Sequence, residues 1–422
     1  MSSSVKGMRD LLGDELRWFQ RIEETAHRIF SAHGYREIRT PILEYTEIFK
    51  RSVGDSSDIV SKEMYEFLDK GGRSVTMRPE NTAGVVRAMV DHKLLVNNDP
   101  QLLYYMGPMF RYERMQAGRY RQFWQIGAES FGVASPESEA ESLAMLFDFL
   151  GALGLKSLSL SLNSVGTPES RPTFNAAFRA FFDGHADRFC EDCHRRIETN
   201  PMRILDCKNP GCQTALESHP TMVEFLDDAS KIHHARLKEL LTLLDIPFTE
   251  NPRLVRGLDY YTRTAFEVLS SDLGAQSALL GGGRYDGLVK QLGGPDTPAF
   301  GWAIGLDRLA MVLKQLQGEA PFEPTPMLIP MGEAASAKAL QLARQWWALG
   351  LHVQLETRGC ALKKALGSAN RMGVKLALIL GDGELEKGTI AVKHLETGTQ
   401  EEWALEDVPS KIKGWGMGLR HI

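Results

Sequence analysis

Two strand-like runs, Leu102–Arg111 and Gln122–Phe131, flank a polar stretch from Tyr112 to Arg121. Aromatic and branched residues dominate the first run, so the pair reads as an antiparallel hairpin with a long loop. Side chains two apart on a strand share a face. Gln125, Gly127 and Glu129 therefore face one way, and Trp124, Ile126 and Ala128 the other. A face made of an amide, a gap and a carboxylate is buried only if those groups find partners. Arg111 and the loop arginines Arg114, Arg119 and Arg121 make the same region cationic. The bland reading is a solvated hairpin with salt bridges; the sharper one is an anionic-ligand site with a polar floor.

Elsewhere the pattern changes along the chain. Trp18, Ile22, Ala26 and Ile29 recur at helical spacing within Glu15–His33, and Gly34 suits the end of that helix. Tyr35–Pro41 reads as a strand closed by its proline. Further strands are expected at Lys156–Leu162, Thr264–Leu269 and Pro298–Ile304, and helices at Ser138–Leu150, Met222–Leu244 and Ile304–Leu316. The stretch from about 168 to 252 is helical, charged and holds four of the five cysteines, so it reads as an insertion in a first domain spanning 1–320. A proline-rich linker, Gly318–Pro326, precedes alternating strands and helices from Met327, the pattern of a small α/β domain over 327–422.

Bulk properties narrow the class. A chain of 422 residues should hold two or three domains. No run of 18 apolar residues occurs, so no membrane span is expected. Met1–Asp10 has no secretory pattern, and five cysteines in so long a chain suggest reduced thiols; the cytoplasm is the expected compartment. A net charge of −5 argues against a DNA-coating protein, since such binding runs on phosphate neutralisation, but leaves room for local basic contacts to RNA.

Three further clusters carry chemistry. In Leu254–Glu267, Arg256 is followed by Gly257, which lets backbone approach a ligand, and by the pair Tyr260 and Tyr261. Gly281–Gly283 begin Gly-Gly-Gly-Arg-Tyr-Asp-Gly287; such a triplet usually marks a tight turn or close ligand contact. Phe300–Leu309 reads as a strand passing into a helix, with Arg308 near a helix start that suits phosphate.

Taken together these segments resemble a known family. Gly34–Pro41 resembles motif 1 of class II aminoacyl-tRNA synthetases, Phe110–Arg114 with its loop and second strand resembles motif 2, and Gly301–Arg308 resembles motif 3. Arg256–Thr262 and Gly281–Gly287 resemble the two signatures peculiar to histidyl-tRNA synthetases, and Arg78-Pro-Glu-Asn-Thr82 and Asn163–Gly166 are similar to further segments of that family. The resemblance implies an α+β fold: a class II antiparallel sheet flanked by helices, a helical insertion, and a C-terminal α/β anticodon-binding domain. It implies activation of L-histidine by ATP, with Mg2+, followed by transfer to tRNA(His), in a homodimer whose interface holds Pro41.

Site residues follow from the same resemblance. Arg111, Arg256 and Arg308 are the expected catalytic cations, with Arg111, Glu113 and Arg308 on ATP. Glu80, Thr82 and Gln125 are expected on the α-ammonium, Glu129 and Tyr261 on the imidazole with Tyr260 alongside, and Arg256 between carboxylate and α-phosphate. Arg114, Gln116, Arg119 and Arg121 are placed for the tRNA acceptor end. Met115 and Trp124 depart from the usual motif 2, and Asp307 stands where glutamate is commoner in motif 3. Cys190, Cys193, Cys207 and Cys212 have a spacing compatible with structural zinc, although no metal site is predicted, because bacterial members of the family do not generally need one. The rival reading is the regulatory subunit of ATP phosphoribosyltransferase, which shares the catalytic fold and usually lacks the anticodon module.

Overall fold

The amphipathic first run folds as helix Gly13–Ala32, burying Trp18, Phe19, Ile22, Ala26, Ile29 and Phe30. It ends at His33, after which Gly34 takes φ +82°, a conformation glycine adopts at no steric cost. The computed structural model describes residues 4–417 apart from 55, 56, 58, 96–98, 117, 258, 259, 272–276 and 322–324. Positions 258 and 259 of the expected signature Arg256–Thr262, 117 of the hairpin loop and 322–324 of the linker Gly318–Pro326 lie outside the described residues.

The helix lies on an eight-stranded sheet whose order is Arg36–Glu37, Gln101–Phe110, Gln122–Phe131, Ala299–Gly305, Ser277–Arg284, Thr262–Ser270, Leu158–Ser164 and Phe248–Glu250. The six inner strands are antiparallel, and only the two short edge strands pair in parallel. Tyr104, Ile126, Ala128, Phe266, Trp302 and Ile304 share one large core with helices Gly13–Ala32, Pro136–Ala152, Asp228–Leu243 and Leu306–Gln317. Each large apolar side chain in such a core contributes about 1.5–3 kcal/mol. A smaller core, with Val85, Val86 and Met89 of helix Thr82–Asp91, gathers Leu103, Tyr105, Phe131 and Tyr285.

Several expectations shift. The strand expected over Tyr35–Pro41 is only Arg36–Glu37, because beyond Ile38 the backbone leaves the sheet and Thr40 is held by Arg78 instead. The run Met222–Leu244 is a 3-10 turn, Met222–Phe225, followed by helix Asp228–Leu243. Asp227 breaks it by accepting the Ser230 N–H at 2.7 Å as an N-cap. The glycine triplet lies inside strand Ser277–Arg284 and forms no turn. Its lack of side chains serves close approach: a Cβ on Gly282 would meet the Gly301 carbonyl and Trp302, and one on Gly281 would meet the Arg256 guanidinium. The separate core of the cysteine-bearing region runs only from Phe174 to Leu226, and helix Asp228–Leu243 and strand Phe248–Glu250 belong to the main layers.

The chain divides into two compact units, Met1–Ala320 and Pro321–Ile422. The second is a five-stranded sheet in the order Gln354–Leu355, Met327–Met331, Leu376–Gly381, Thr389–His394 and Gln400–Ala404. The first three are parallel and the last two antiparallel. Helices Glu333–Ala348 and Leu362–Arg371 cover its strands through two cores.

Candidate active site

The strand alternation places Gln125, Gly127 and Glu129 on the face away from the large core. Their cross-strand neighbours there are Gly107, Tyr105 and Leu103 on one side and Gly305, Ala303 and Gly301 on the other. The small residues form a floor. A Cβ at Gly127 would strike the Tyr105 ring, one at Gly107 the Arg78 guanidinium, and one at Gly301 the Glu129 carboxylate. The larger side chains fold into the space that these glycines leave.

A cavity of about 190 Å³ stands over this floor, lined by Glu80, Thr82, Arg111, Gln125, Arg256, Tyr260 and Tyr261 among others. Seven of the residues expected at the site thus meet in one place. Glu129 lies below the lining and is 1% exposed. Its Oε1 accepts the Thr82 hydroxyl at 2.7 Å, and its Oε2 accepts the Tyr285 hydroxyl. Burial pushes the Glu129 carboxyl up to about 8, against the pull of those two hydroxyls. Near neutrality it can therefore either donate or accept a proton.

Glu80 is turned toward the start of helix Thr82–Asp91, accepting the N–H of Thr82 at 2.7 Å and of Ala83 at 3.1 Å. Burial raises its carboxyl above the ordinary range, while those amides hold it down. Arg111 donates to the Pro79 carbonyl at 2.8 Å and lies over Phe123. Arg256 donates to Glu267 at 2.6 Å and lies over the Tyr261 ring. Two buried polar atoms in this cavity have no hydrogen-bond partner among the described residues: the Arg256 Nε donor and the Gln125 Oε1 acceptor. Leaving one such group unsatisfied costs about 1–3 kcal/mol. A ligand offering an anionic oxygen and a cationic amine would satisfy both.

The other expected residues sit outside that lining. Arg308 is exposed on the first turn of helix Leu306–Gln317. Glu113 lies 3.8 Å from Arg111 and 3.6 Å from Arg119. Arg114, Gln116 and Arg119 are exposed on the loop. Arg121 is committed locally, stacked over Tyr112 at 3.5 Å with its stem against Gly7. Asp307 is buried, accepting the Trp124 N–H at 2.9 Å and pairing with Arg9 at 2.7 Å. It clamps the hairpin to the N-terminal arm. Trp124 packs edge-on to Phe19 in the large core, and Met115 is exposed.

Sequence reasoning missed Tyr105 and Tyr285, both in the lining. Tyr105 was legible from parity, since it is opposite Gly127 once the hairpin register is set. Tyr285 lies within the signature Gly281–Gly287 but was given no role there. Arg284, beside it, turns away from the cavity into a buried network: its Nε donates to Glu139 at 2.6 Å, and His233 Nε2 lies 2.6 Å from the same oxygen.

Comparison with known proteins gives the family. A family model described as histidyl-tRNA synthetase matches residues 7–170 and 208–309, and one described as an anticodon binding domain matches 326–415. The histidine–tRNA ligase of Trichlorobacter lovleyi is 46% identical over 418 residues, covering 98% of this chain and 99% of that protein. The one from Geobacter metallireducens is 45% identical over 414 residues, covering 98% and 99%. The crystal structure of apo S. aureus histidyl-tRNA synthetase aligns with a TM-score of 0.81 at 36% identity, over 98% of this chain and 100% of that one. A Bacillus halodurans protein described as an ATP phosphoribosyltransferase regulatory subunit/histidyl-tRNA synthetase shares the fold, with a TM-score of 0.65 at 22% identity, over 88% and 96%.

Proposed function

The chain belongs to the histidyl-tRNA synthetase family and is a histidine–tRNA ligase, and on that premise we propose how its residues divide the work. The single observation that supports the assignment most is the cavity holding one orphaned donor, Arg256 Nε, and one orphaned acceptor, Gln125 Oε1. An amino acid carries the complementary pair, a carboxylate and an ammonium. Gln125 takes the α-ammonium together with Glu80 and Thr82. Arg256 bridges the substrate carboxylate and the α-phosphate of ATP, a place where a planar, permanently charged fork suits two anions at once.

Farther in, Glu129, Tyr261 and Tyr260 face the imidazole, and Tyr285 and Thr82 fix the direction of the Glu129 carboxyl. Neutral imidazole offers one donor and one acceptor. A site built to pair with such groups can reject analogues lacking them by roughly 10⁴–10⁵-fold. On the ATP side, Arg111 holds the α-phosphate, Arg308 lies along the nucleotide, and Glu113 sets the position of Arg111 and Arg119. Charge accumulates on the phosphoryl oxygens as the carboxylate attacks phosphorus and pyrophosphate leaves, so fixed cations are the main catalytic device. Magnesium accompanies ATP. It would be held largely by phosphate oxygens and waters, since Glu113, the carboxylate nearest Arg111 on the loop side, is itself shared between Arg111 and Arg119.

The acceptor end of the tRNA passes over the loop at Arg114, Gln116, Arg119 and Arg121, and the second unit meets the anticodon. The regulatory-subunit reading has less support, because the anticodon-binding match and the full-length ligase relatives both favour the enzyme. Among the described residues no helix is long and apolar enough to cross a membrane.

The deciding experiment is ATP–pyrophosphate exchange with each of the twenty amino acids. Histidine alone should support it. Exchange with a different amino acid would overturn the roles of Glu129 and Tyr261, and none at all would overturn the catalytic reading. The dimer has its own support: Pro41 is exposed beside Ile42, Leu43, Tyr45, Phe67 and Leu68, apolar side chains at least 41% exposed on a small three-stranded sheet. A second copy docks there. Sedimentation equilibrium should give twice the chain mass of 47.1 kDa, and Leu43→Glu should shift it toward the monomer.

A further inference from the structure

The insertion between Phe174 and Leu226 encloses a small core of its own, and its four cysteines come from three separate stretches of chain. Cys190 and Cys193 flank the start of helix Glu191–Thr199, Cys207 follows the 3-10 turn Pro201–Ile204, and Cys212 lies in helix Pro210–Ala215. Their sulfurs nevertheless converge. Cys190 Sγ is 3.7 Å from Cys193 Sγ and 3.8 Å from Cys207 Sγ, and Cys193 Sγ is 3.8 Å from Cys212 Sγ. All four lie within 4.8 Å of one another.

Two ordinary explanations fit this arrangement poorly. A disulfide brings its sulfurs to about 2.05 Å, far closer than any pair here. Cysteines buried merely as small hydrophobes have no reason to aim four sulfurs at one point. A tetrahedral site does: zinc–sulfur bonds of about 2.3 Å set the sulfurs about 3.8 Å apart. Supporting groups are also in place. The Cys190 backbone N–H donates to Cys212 Sγ at 3.2 Å, the kind of hydrogen bond that steadies a ligating thiolate. The start of helix Glu191–Thr199 adds favourable partial positive charge.

We propose that Cys190, Cys193, Cys207 and Cys212 bind one structural zinc ion that staples the insertion. Four protein ligands leave no open position, so the ion is structural and takes no part in catalysis. Binding replaces up to four thiol protons, which pass to solvent. The staple matters for the neighbouring wall: the insertion's Asn200–Arg203 line a cavity of about 220 Å³ together with Arg256 and Tyr261, and Arg203 donates to the Arg256 carbonyl at 3.5 Å.

The test is metal analysis by inductively coupled plasma mass spectrometry on the full chain, purified without chelator. The expected result is about one zinc per chain, released as mercurial reagent titrates the four ligand thiols beyond Cys360. Cobalt substituted for zinc should give the thiolate-to-metal charge-transfer absorption of a tetrahedral sulfur site. Cys190→Ser, at the half-buried ligand, should lose the metal and open the chain to trypsin around Arg195 and Lys208. Cys360→Ser, in the second unit, should leave both unchanged. Less than a tenth of an equivalent of zinc, both as purified and after incubation with zinc under reducing conditions, would overturn the proposal. So would stoichiometric iron in its place.

Discussion

Arg256→Ala should lower kcat/KM for histidine-dependent ATP–pyrophosphate exchange by about 10²–10⁴-fold while leaving the melting temperature near that of the parent. The guanidinium is half-buried, and among the described residues its Nε has no partner and its ion pair is with the partly exposed Glu267 at 2.6 Å. Removing it therefore strips a cation from the proposed reacting centre without leaving a deeply buried charge behind. Arg256→Lys should recover only part of the loss, because an ammonium is a point charge and cannot present two parallel donors to carboxylate and phosphate. Separate kcat and KM values decide the role. A fall in kcat means that the contact strengthens in the transition state; a rise in KM alone would mean that Arg256 merely binds histidine.

The largest loss of stability is expected from Arg284→Met. Arg284 and Glu139 are both 0% exposed, and the carboxylate also meets His233. Burial opposes ionisation of Glu139, but Arg284 and His233 together hold its carboxyl down at about 2. Removing the guanidinium leaves a buried carboxylate short of its main partner, at a cost of about 3–5 kcal/mol. For a unit of this size the melting temperature should fall by roughly 4–8 °C. The sign of the pH dependence gives a second check. In the parent the folded pKa is depressed, so the pair's contribution is complete above pH 4.5 and is lost as pH falls toward 2. In the variant burial dominates and the Glu139 pKa rises above its unfolded value, so acid relieves the penalty. The gap between parent and variant should narrow from pH 7.5 to pH 5 in thermal melts. A constant gap would mean that the loss is one of packing.

Local periodicity carried much of the architecture. Alternation along Gln122–Phe131 set Ile126 and Ala128 on one face and Glu129 on the other, and the first face meets the large core, because the strand's period of two is a property of the backbone itself. The spacing of Trp18, Ile22, Ala26 and Ile29 likewise marked the buried side of the first helix. Composition was a poorer guide at Gly281–Gly283. Glycine suits both a turn and a crowded strand, and only the neighbours Trp302, Thr264 and Arg256 show which applies.

What the sequence determined by itself is the chemistry and its order along the chain: the arginine-rich hairpin, the paired tyrosines, the glycine strand and the family these identify. Sheet order and register decided the rest. They bring Tyr285 onto Glu129 across 156 positions and Arg284 onto Glu139 across 145. Packing of the insertion's helices aims four thiols at one point, where their spacing was compatible with zinc but the family resemblance left the metal unpredicted. Side-chain period is a local quantity that any short window reports. Which strands become neighbours depends on packing free energy summed over the whole core, and no window of sequence contains that sum.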